Sequence, residues 1–184
     1  DYTLLLHAGP EIAVASTKAY TAQIAVELFL AVALGRHNQL VLAEQFDVHH
    51  ELGLVATGME ALLSEKEQIE TLTTDYLQTT RNTFYIGRGE DYALSLEAAL
   101  KLKEISYIQA EGFAAGELKH GTIALIEEGT PVIAFLMDAK TIAHTRGNLQ
   151  EVTARGAKAL TIVSEESAEA DDQIILPTVN RSEE

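Results

Sequence analysis

GRGEDYALSLEAALKLKEISYIQAEGFAAGELKHG, residues 87–121, is the stretch that decides the fold of this chain. The apolar run 83–86 precedes it and predicts a buried strand. Two glycines then predict a tight turn, and the apolar spacing after them predicts a long helix over 91–107. A strand, a turn and a helix in this order are typical of one repeat of a parallel α/β sheet.

The chain after residue 82 continues this alternation. Its strands are nearly continuous apolar runs, as expected where helices cover both faces of a sheet. We therefore predict an α/β fold built on a doubly wound parallel sheet. The further predicted elements are a glycine-rich connection with a helix over 112–125, strands over 132–137, 159–163 and 173–176, and a helix over 140–155.

The first 80 residues predict a mainly helical arrangement. Residues 2–6 are apolar in the manner of a buried strand, and Ser16 is placed to cap a helix that ends at Gly35. Residues 40–78 are amphipathic and predict two helices. The candidate breakpoints are Gly53, Gly58 and the sequence Ser64-Glu65-Lys66.

A polar junction over 79–82 divides the chain into two parts. We predict that residues 1–80 are the C-terminal part of one domain and that residues 81–184 are most of a second, similar domain. Domains rarely open on a central strand or stop without a closing helix. We therefore expect both ends of this chain to have been cut from a longer protein.

Composition narrows the classes of partner. The chain has 184 residues, of which 47% are hydrophobic and 22% charged, enough to bury a substantial core. Its net charge of -15 argues against nucleic acid and anionic membranes as partners, because both require basic surface. The longest apolar pattern, residues 24–34, is too short to cross a membrane and contains Glu27. The absence of cysteine excludes thiolate metal sites and fits a cytoplasmic protein.

Three charged residues share one face of the helix predicted over 91–107. Glu97, Lys101 and Glu104 are spaced i, i+4 and i+7, so their side chains line up along that face. Two interpretations stay open. The residues form a solvent-exposed ion pair of little energetic value, or they form a general base with a cationic neighbour at the carboxyl end of the sheet.

Two further positions are candidates for chemistry. His120 precedes Gly121 at an expected helix end, where a histidine either caps the helix or transfers protons near neutral pH. Val14, Ala15 and Ser16 lie where a loop enters a helix, so they either cap that helix or form a wall for a sugar or phosphate.

Cofactor and metal sites are not predicted. The glycine turn at 87–89 lacks the third glycine of a dinucleotide fingerprint. His49 and His50 are adjacent, and neighbouring helix positions diverge by about 100°, so the two cannot bind one ion. We expect neither a cofactor nor a metal ion.

The chain resembles the isomerase half of the glucosamine-6-phosphate synthase family, the glutamine–fructose-6-phosphate aminotransferases. Two long motifs carry the resemblance: HAGPEIAVASTKAYTAQ at residues 7–23 and LEAALKLKEISYIQAEGFAAGELKHG at residues 96–121. Proteins of this family join an N-terminal glutaminase domain to two tandem SIS (sugar isomerase) domains. They convert fructose 6-phosphate and ammonia into glucosamine 6-phosphate in the cytoplasm, an early step toward cell-wall precursors.

The resemblance implies a role for each candidate residue. Glu104 corresponds to the base that moves a proton between C1 and C2 of the sugar, and Lys101 to the lysine beside C1. His120 corresponds to the ring-opening histidine, which in the family reaches the site of the neighbouring subunit of a homodimer. The wall that holds the sugar hydroxyls corresponds to Val14, Ala15 and Ser16.

The resemblance also sets expectations for the chain by itself. The phosphate-binding loops and the Schiff-base lysine of the family have no counterpart here, so we expect the chain alone to be inactive. Two alternatives remain. One is a related SIS sugar-phosphate deaminase or deglycase, and the other is a non-catalytic SIS module that senses sugar phosphates.

Overall fold

The computed structural model describes residues 2–177, and these divide into two units, residues 2–60 and residues 61–177. The first unit contains α1 (Lys18–His37), α2 (Val41–Gln45) and most of α3 (Val48–Ser64). The second contains the rest of α3 and all later elements. The predicted division at residues 80 and 81 concerns the limits of two related domains, and it stays a prediction.

Five strands and three α-helices make up most of the second unit. Short 3₁₀ turns at Ala115–His120, Thr122–Leu125 and Glu165–Ser167 complete it. The helices are α4 (Lys66–Leu77), α5 (Glu90–Ser106) and α6 (Ile142–Thr153), and the strands are β1 (Asn82–Gly87), β2 (Gln109–Ala114), β3 (Pro131–Leu136), β4 (Lys158–Ser164) and β5 (Ile174–Leu176).

The strands form one parallel sheet in the order β2-β1-β3-β4-β5. The chain passes from β1 outward to β2 and then crosses back over β1 to β3, so the winding direction reverses between β1 and β3. Helices cover both faces. The parallel, doubly wound α/β prediction is therefore confirmed.

Each face of the sheet has its own apolar core, because side chains alternate along every strand. On one face, Tyr85, Ile133 and Leu160 pack with Ala99 of α5 and with Tyr76 of α4. The Tyr76 hydroxyl also donates to the Ala159 carbonyl at 2.8 Å, which ties α4 to β4. The opposite core joins the sheet to α6 and to the turn after β2, and it comprises Phe84, Ile86, Ala115, Leu118, Ile126, Val132, Ala134, Leu149, Val152 and Ala157.

Two predicted elements are wrong. Residues 2–6 form no strand, since no other described strand pairs with them, and Leu4 and Leu5 are exposed. The predicted helix over 112–125 is instead β2 followed by two 3₁₀ turns. Glycine and alanine give β2 no apolar signature, and parallel pairing with β1 sets its conformation.

The helix boundaries of the first unit also differ from prediction. The residue before α1 is Thr17 rather than Ser16, and α1 runs through Gly35 to His37. The break after α2 falls at Phe46-Asp47 and not at a glycine, because the Asp47 carboxylate accepts hydrogen bonds from the first turn of α3. The predicted start of α4 after Ser64-Glu65 is confirmed.

Helix α1 contains the apolar pattern 24–34 and, at 20 residues, is longer than that pattern predicted. It is long and apolar enough to cross a membrane by length and composition, a criterion that core helices of globular domains also meet. Only Val32 and Gly35 of this helix are buried. A helix with an unburied apolar face of this kind is expected to pack against further protein or to favour association.

Asp91 fastens the start of α5 to the sheet. Its side chain is 1% exposed, and Oδ2 accepts hydrogen bonds from the amides of Met137 at 3.0 Å and Asp138 at 3.3 Å. These two residues directly follow β3, so the carboxylate bridges the ends of β1 and β3 where the winding reverses. Burial raises the pKa of Asp91 above its ordinary value.

Replacing Asp91 tests this bridge. We expect Asp91→Ala to lower the free energy of unfolding by about 1–3 kcal/mol, because two partly buried amide donors lose their acceptor. Asp91→Asn retains an acceptor oxygen, so its free energy of unfolding should fall less. Urea denaturation of the three proteins provides the measurement, and an Asp91→Ala protein as stable as the wild type would contradict the assignment.

The raised pKa of Asp91 predicts that the free energy of unfolding depends on pH. Because the folded pKa of Asp91 is raised above 3.8, protonation favours the folded state. The stability of the wild type relative to Asp91→Asn should therefore be greatest below the unfolded pKa and decline as pH rises through the folded pKa. A relative stability that increases over that range would overturn this sign.

Candidate functional site

Lys101 lies between two carboxylates on a partly exposed face of α5. Its Nζ is 2.7 Å from Oε2 of Glu104 and 3.4 Å from Oε1 of Glu97. The three side chains are each about a quarter exposed. The predicted alignment of these residues is confirmed, and solvent or a ligand has access to both carboxylates.

The pair has a defined charge state. The Glu104 carboxylate, and more weakly that of Glu97, raises the pKa of Lys101, so this lysine is a cation at neutral pH. A protonated lysine stabilises developing negative charge and cannot attack a carbonyl group. The arrangement therefore suits proton transfer by a carboxylate beside a fixed positive charge.

The expected place of this pair at the carboxyl end of the sheet is wrong. In a β-α-β unit the helix runs antiparallel to its strands, so the last turn of α5 lies near the amino end of β2. Glu104 belongs to that last turn, and β2 begins at Gln109. The pair is thus displaced from the crevice that parallel sheets commonly use for ligands.

His120 lies at the other end of β2. It is the exposed last residue of the 3₁₀ turn Ala115–His120, which follows the carboxyl end of this strand. Within residues 2–177 its side chain forms no hydrogen bond or ion pair. The next residue, Gly121, has a φ of 145°, a conformation that favours glycine and ends the turn.

The distance along β2 separates the two candidate groups. Six residues of strand span about 17–20 Å, and Glu104 and His120 lie beyond opposite ends of it. The structure therefore brings Lys101 and Glu104 together but does not bring His120 of the same chain to them.

Val14, Ala15 and Ser16 belong to the first unit and precede α1. Val14 is exposed and Ala15 is buried. The Glu11 carboxylate holds this loop, since its Oε1 accepts hydrogen bonds from the amides of Thr17 at 2.9 Å and Ala19 at 3.1 Å. These hydrogen bonds, from Ala19 first, lower the pKa of Glu11.

Sequence reasoning missed a group of polar residues near His120. Arg88, Asn148 and Glu151 come from the turn after β1 and from α6, and their side chains interact with one another and with Lys119. No spacing rule links positions about 60 residues apart. Only the fold makes these residues neighbours.

Comparisons with known proteins point to one family. The SIS domain family matches residues 76–182, more than half of the chain. The "Glutamine--fructose-6-phosphate aminotransferase [isomerizing]" of Streptococcus pneumoniae is 66% identical over 180 residues, and the enzyme of the same name from Lactiplantibacillus plantarum is 63% identical over 179. The chain spans about 30% of the length of these relatives.

Solved structures give the same family. The C-terminal domain of glucosamine-fructose-6-phosphate aminotransferase from Francisella tularensis superposes with a TM-score of 0.74 and 34% identity, covering 91% of this chain and 48% of that one. A glucosamine-6-phosphate deaminase from Thermotoga maritima superposes with a TM-score of 0.61 and 25% identity, covering 83% and 44%.

Replacing Glu11 tests whether its carboxylate holds the loop Val14–Ser16 at the start of α1. Glu11→Ala should expose the first amides of α1, and we expect hydrogen exchange at Thr17 and Ala19 to accelerate about tenfold, as for loss of a typical helix cap. Glu11→Gln keeps an acceptor oxygen and should show a smaller effect.

The pH dependence of this cap has a fixed sign. The folded pKa of Glu11 is lowered below 4.5, so the carboxylate stabilises the loop above that value and ceases to do so as pH falls through the folded pKa. Unchanged exchange in Glu11→Ala at neutral pH would show that the carboxylate does not hold the loop.

Proposed function

This chain belongs to the SIS domain family, and from that membership we propose that it forms the isomerase part of a glutamine–fructose-6-phosphate aminotransferase. The observation that carries the proposal is the contact between the Lys101 ammonium and the Glu104 carboxylate, 2.7 Å apart on an accessible helix face. The product would be glucosamine 6-phosphate, and the nitrogen would come from a glutaminase domain of the same protein. We place this activity in the cytoplasm.

Glu104 is the proton-transferring group in this proposal. A shift of a carbonyl from C2 to C1 requires a base that removes a proton from one carbon and returns it to the other, and a carboxylate can serve in this way. Lys101 then stabilises the negative charge that develops on the neighbouring oxygen. Because Lys101 is held as a cation, it does not form the covalent bond to the sugar.

His120 and the loop of the first unit serve the substrate in other ways. The exposed imidazole of His120 is available for proton transfer to the ring oxygen, which opens the cyclic sugar. Its separation from Glu104 supports a role in the neighbouring subunit of a homodimer. We assign contacts with sugar hydroxyls to Val14, Ala15 and Ser16.

A sugar-phosphate deaminase is a second candidate. The likeness to the Thermotoga maritima glucosamine-6-phosphate deaminase favours it, and the same carboxylate and ammonium would serve the reverse proton transfer. Product analysis separates the two. The aminotransferase forms glucosamine 6-phosphate from fructose 6-phosphate and glutamine, whereas a deaminase releases ammonia from glucosamine 6-phosphate without using glutamine.

Glu104→Gln tests the proposed base. In the full-length enzyme that carries this chain, we expect isomerisation to fall about 10²- to 10⁴-fold with fructose 6-phosphate binding nearly unchanged, as for loss of a general base. Glu97→Gln is the matched control, because it removes the other carboxylate next to Lys101. Its rate of isomerisation should fall less than about tenfold. Wild-type turnover by Glu104→Gln would exclude Glu104 from the mechanism.

Mixed dimers test the placement of His120. His120→Ala and Glu104→Gln enzymes should each be nearly inactive, but their mixture should recover about a quarter of wild-type activity, because each heterodimer of a two-fold dimer regains one intact site. Subunit exchange is verified by mass spectrometry. Exchange without recovery would show that His120 serves the site of its own chain.

A further inference from the structure

The turn that carries His120 depends on contacts with other elements for its position. A 3₁₀ turn of six residues, Ala115–His120, has poorer hydrogen-bond geometry than an α-helix and does not fix its own orientation. Leu118, 1% exposed, anchors its middle in the apolar core. Its exposed end, with Lys119 and His120, needs further support.

Arg88 supplies the first support. Its guanidinium lies flat against Gly116, where an added Cβ would be 3.0 Å from Nη2 and 3.2 Å from Nη1. The absence of a side chain at Gly116 is what permits this contact. The guanidinium is itself held from α6, because Nη2 and Nε donate to Oδ1 of Asn148 at 2.9 and 3.3 Å. Asn148 is buried.

Glu151 supplies the second support, one turn further along α6. Its Oε1 is 2.8 Å from Nζ of Lys119, the residue that immediately precedes His120. Its Oε2 is buried and, within residues 2–177, accepts no hydrogen bond. Lys119 first, and then Asn148 and Arg88, lower the pKa of Glu151, which stays ionised at neutral pH.

These contacts form one connected group. The turn after β1 provides Arg88, α6 provides Asn148 and Glu151, and the 3₁₀ turn provides Lys119. An exposed Lys–Glu pair alone contributes little to the stability of a fold. Here the Glu151 carboxylate also interacts with the buried Asn148 side chain. Asn148 in turn accepts hydrogen bonds from the Arg88 guanidinium, which lies beside Gly116. The turn is therefore held at both Gly116 and Lys119.

We propose that Arg88, Asn148, Glu151 and Lys119 form a clamp that positions the His120 imidazole for opening the sugar ring. These four are positioning residues and do not touch the substrate. The inference rests on the proposed function, since it assigns the clamp to one step of that reaction. Misplacing an acid or base by about 1 Å costs up to about 10²-fold in rate, so the clamp determines whether ring opening keeps pace with isomerisation.

The test compares two substrates of the full-length enzyme that carries this chain. Fructose 6-phosphate must be opened, whereas 5-deoxyfructose 6-phosphate lacks the hydroxyl that closes the ring and is always open. We expect Glu151→Gln to lower kcat/KM for fructose 6-phosphate about tenfold or more. It should leave kcat/KM for the 5-deoxy sugar within about twofold of wild type. Gly116→Ala, which displaces the Arg88 guanidinium, should give the same pattern.

Two controls separate positioning from general damage. Lys119→Arg retains the ion pair with Glu151, so kcat/KM for both substrates should stay near the wild-type values. Arg146→Gln removes a different ion pair of the same helix, between Arg146 and the buried carboxylate of Asp172 at 2.7 Å, which does not involve the clamp. It should change the rates for both substrates by equal factors.

The outcomes distinguish the clamp from the proposed function. Equal losses on both substrates in Glu151→Gln, or no loss on either, would overturn the clamp while leaving the isomerase assignment intact. A wild-type enzyme that converts neither sugar would instead overturn the proposed function. The same substrate-selective loss in His120→Ala as in Glu151→Gln would support the clamp.

Discussion

The close approach of α5 to the end of β1 is the constraint on which the rest of the second unit depends. At Gly87 an added Cβ would lie 2.3 Å from the backbone of Asp91, so only glycine allows the helix to start there. Once α5 starts at that point, the Asp91 carboxylate reaches the amides that follow β3. One turn thereby sets the direction of α5, the spacing of β1 and β3, and the location of Arg88.

Elements whose burial leaves an apolar pattern in the sequence were predicted. Elements that depend on pairing with a neighbouring strand were missed. Strands β1, β3 and β4 are continuous apolar runs because helices cover both faces of the sheet, and all three were predicted within two residues. Strand β2 carries the sequence QAEGFA and exists because β1 offers it a parallel partner. Residues 2–6 show the opposite case, an apolar run with no described strand beside it.

The candidate site was likewise predictable only in part. Helical spacing placed Lys101 and Glu104 together, since positions three apart on a helix are neighbours. The chemical role of the pair came only from resemblance, because an ion pair of this geometry is common on protein surfaces. The group around Glu151 was not predictable, because its members come from three separate elements and meet only in the folded chain.

The arrangement of two carboxylates around one ammonium also has an electrostatic consequence. Glu97, Lys101 and Glu104 together carry a net charge of minus one on one helix face, in a chain whose net charge is -15. A phosphate dianion is repelled by such a field, whereas the neutral carbonyl end of a sugar is not. Under the proposed function, this field would direct a sugar phosphate to approach with its carbonyl end first and its phosphate away from the helix.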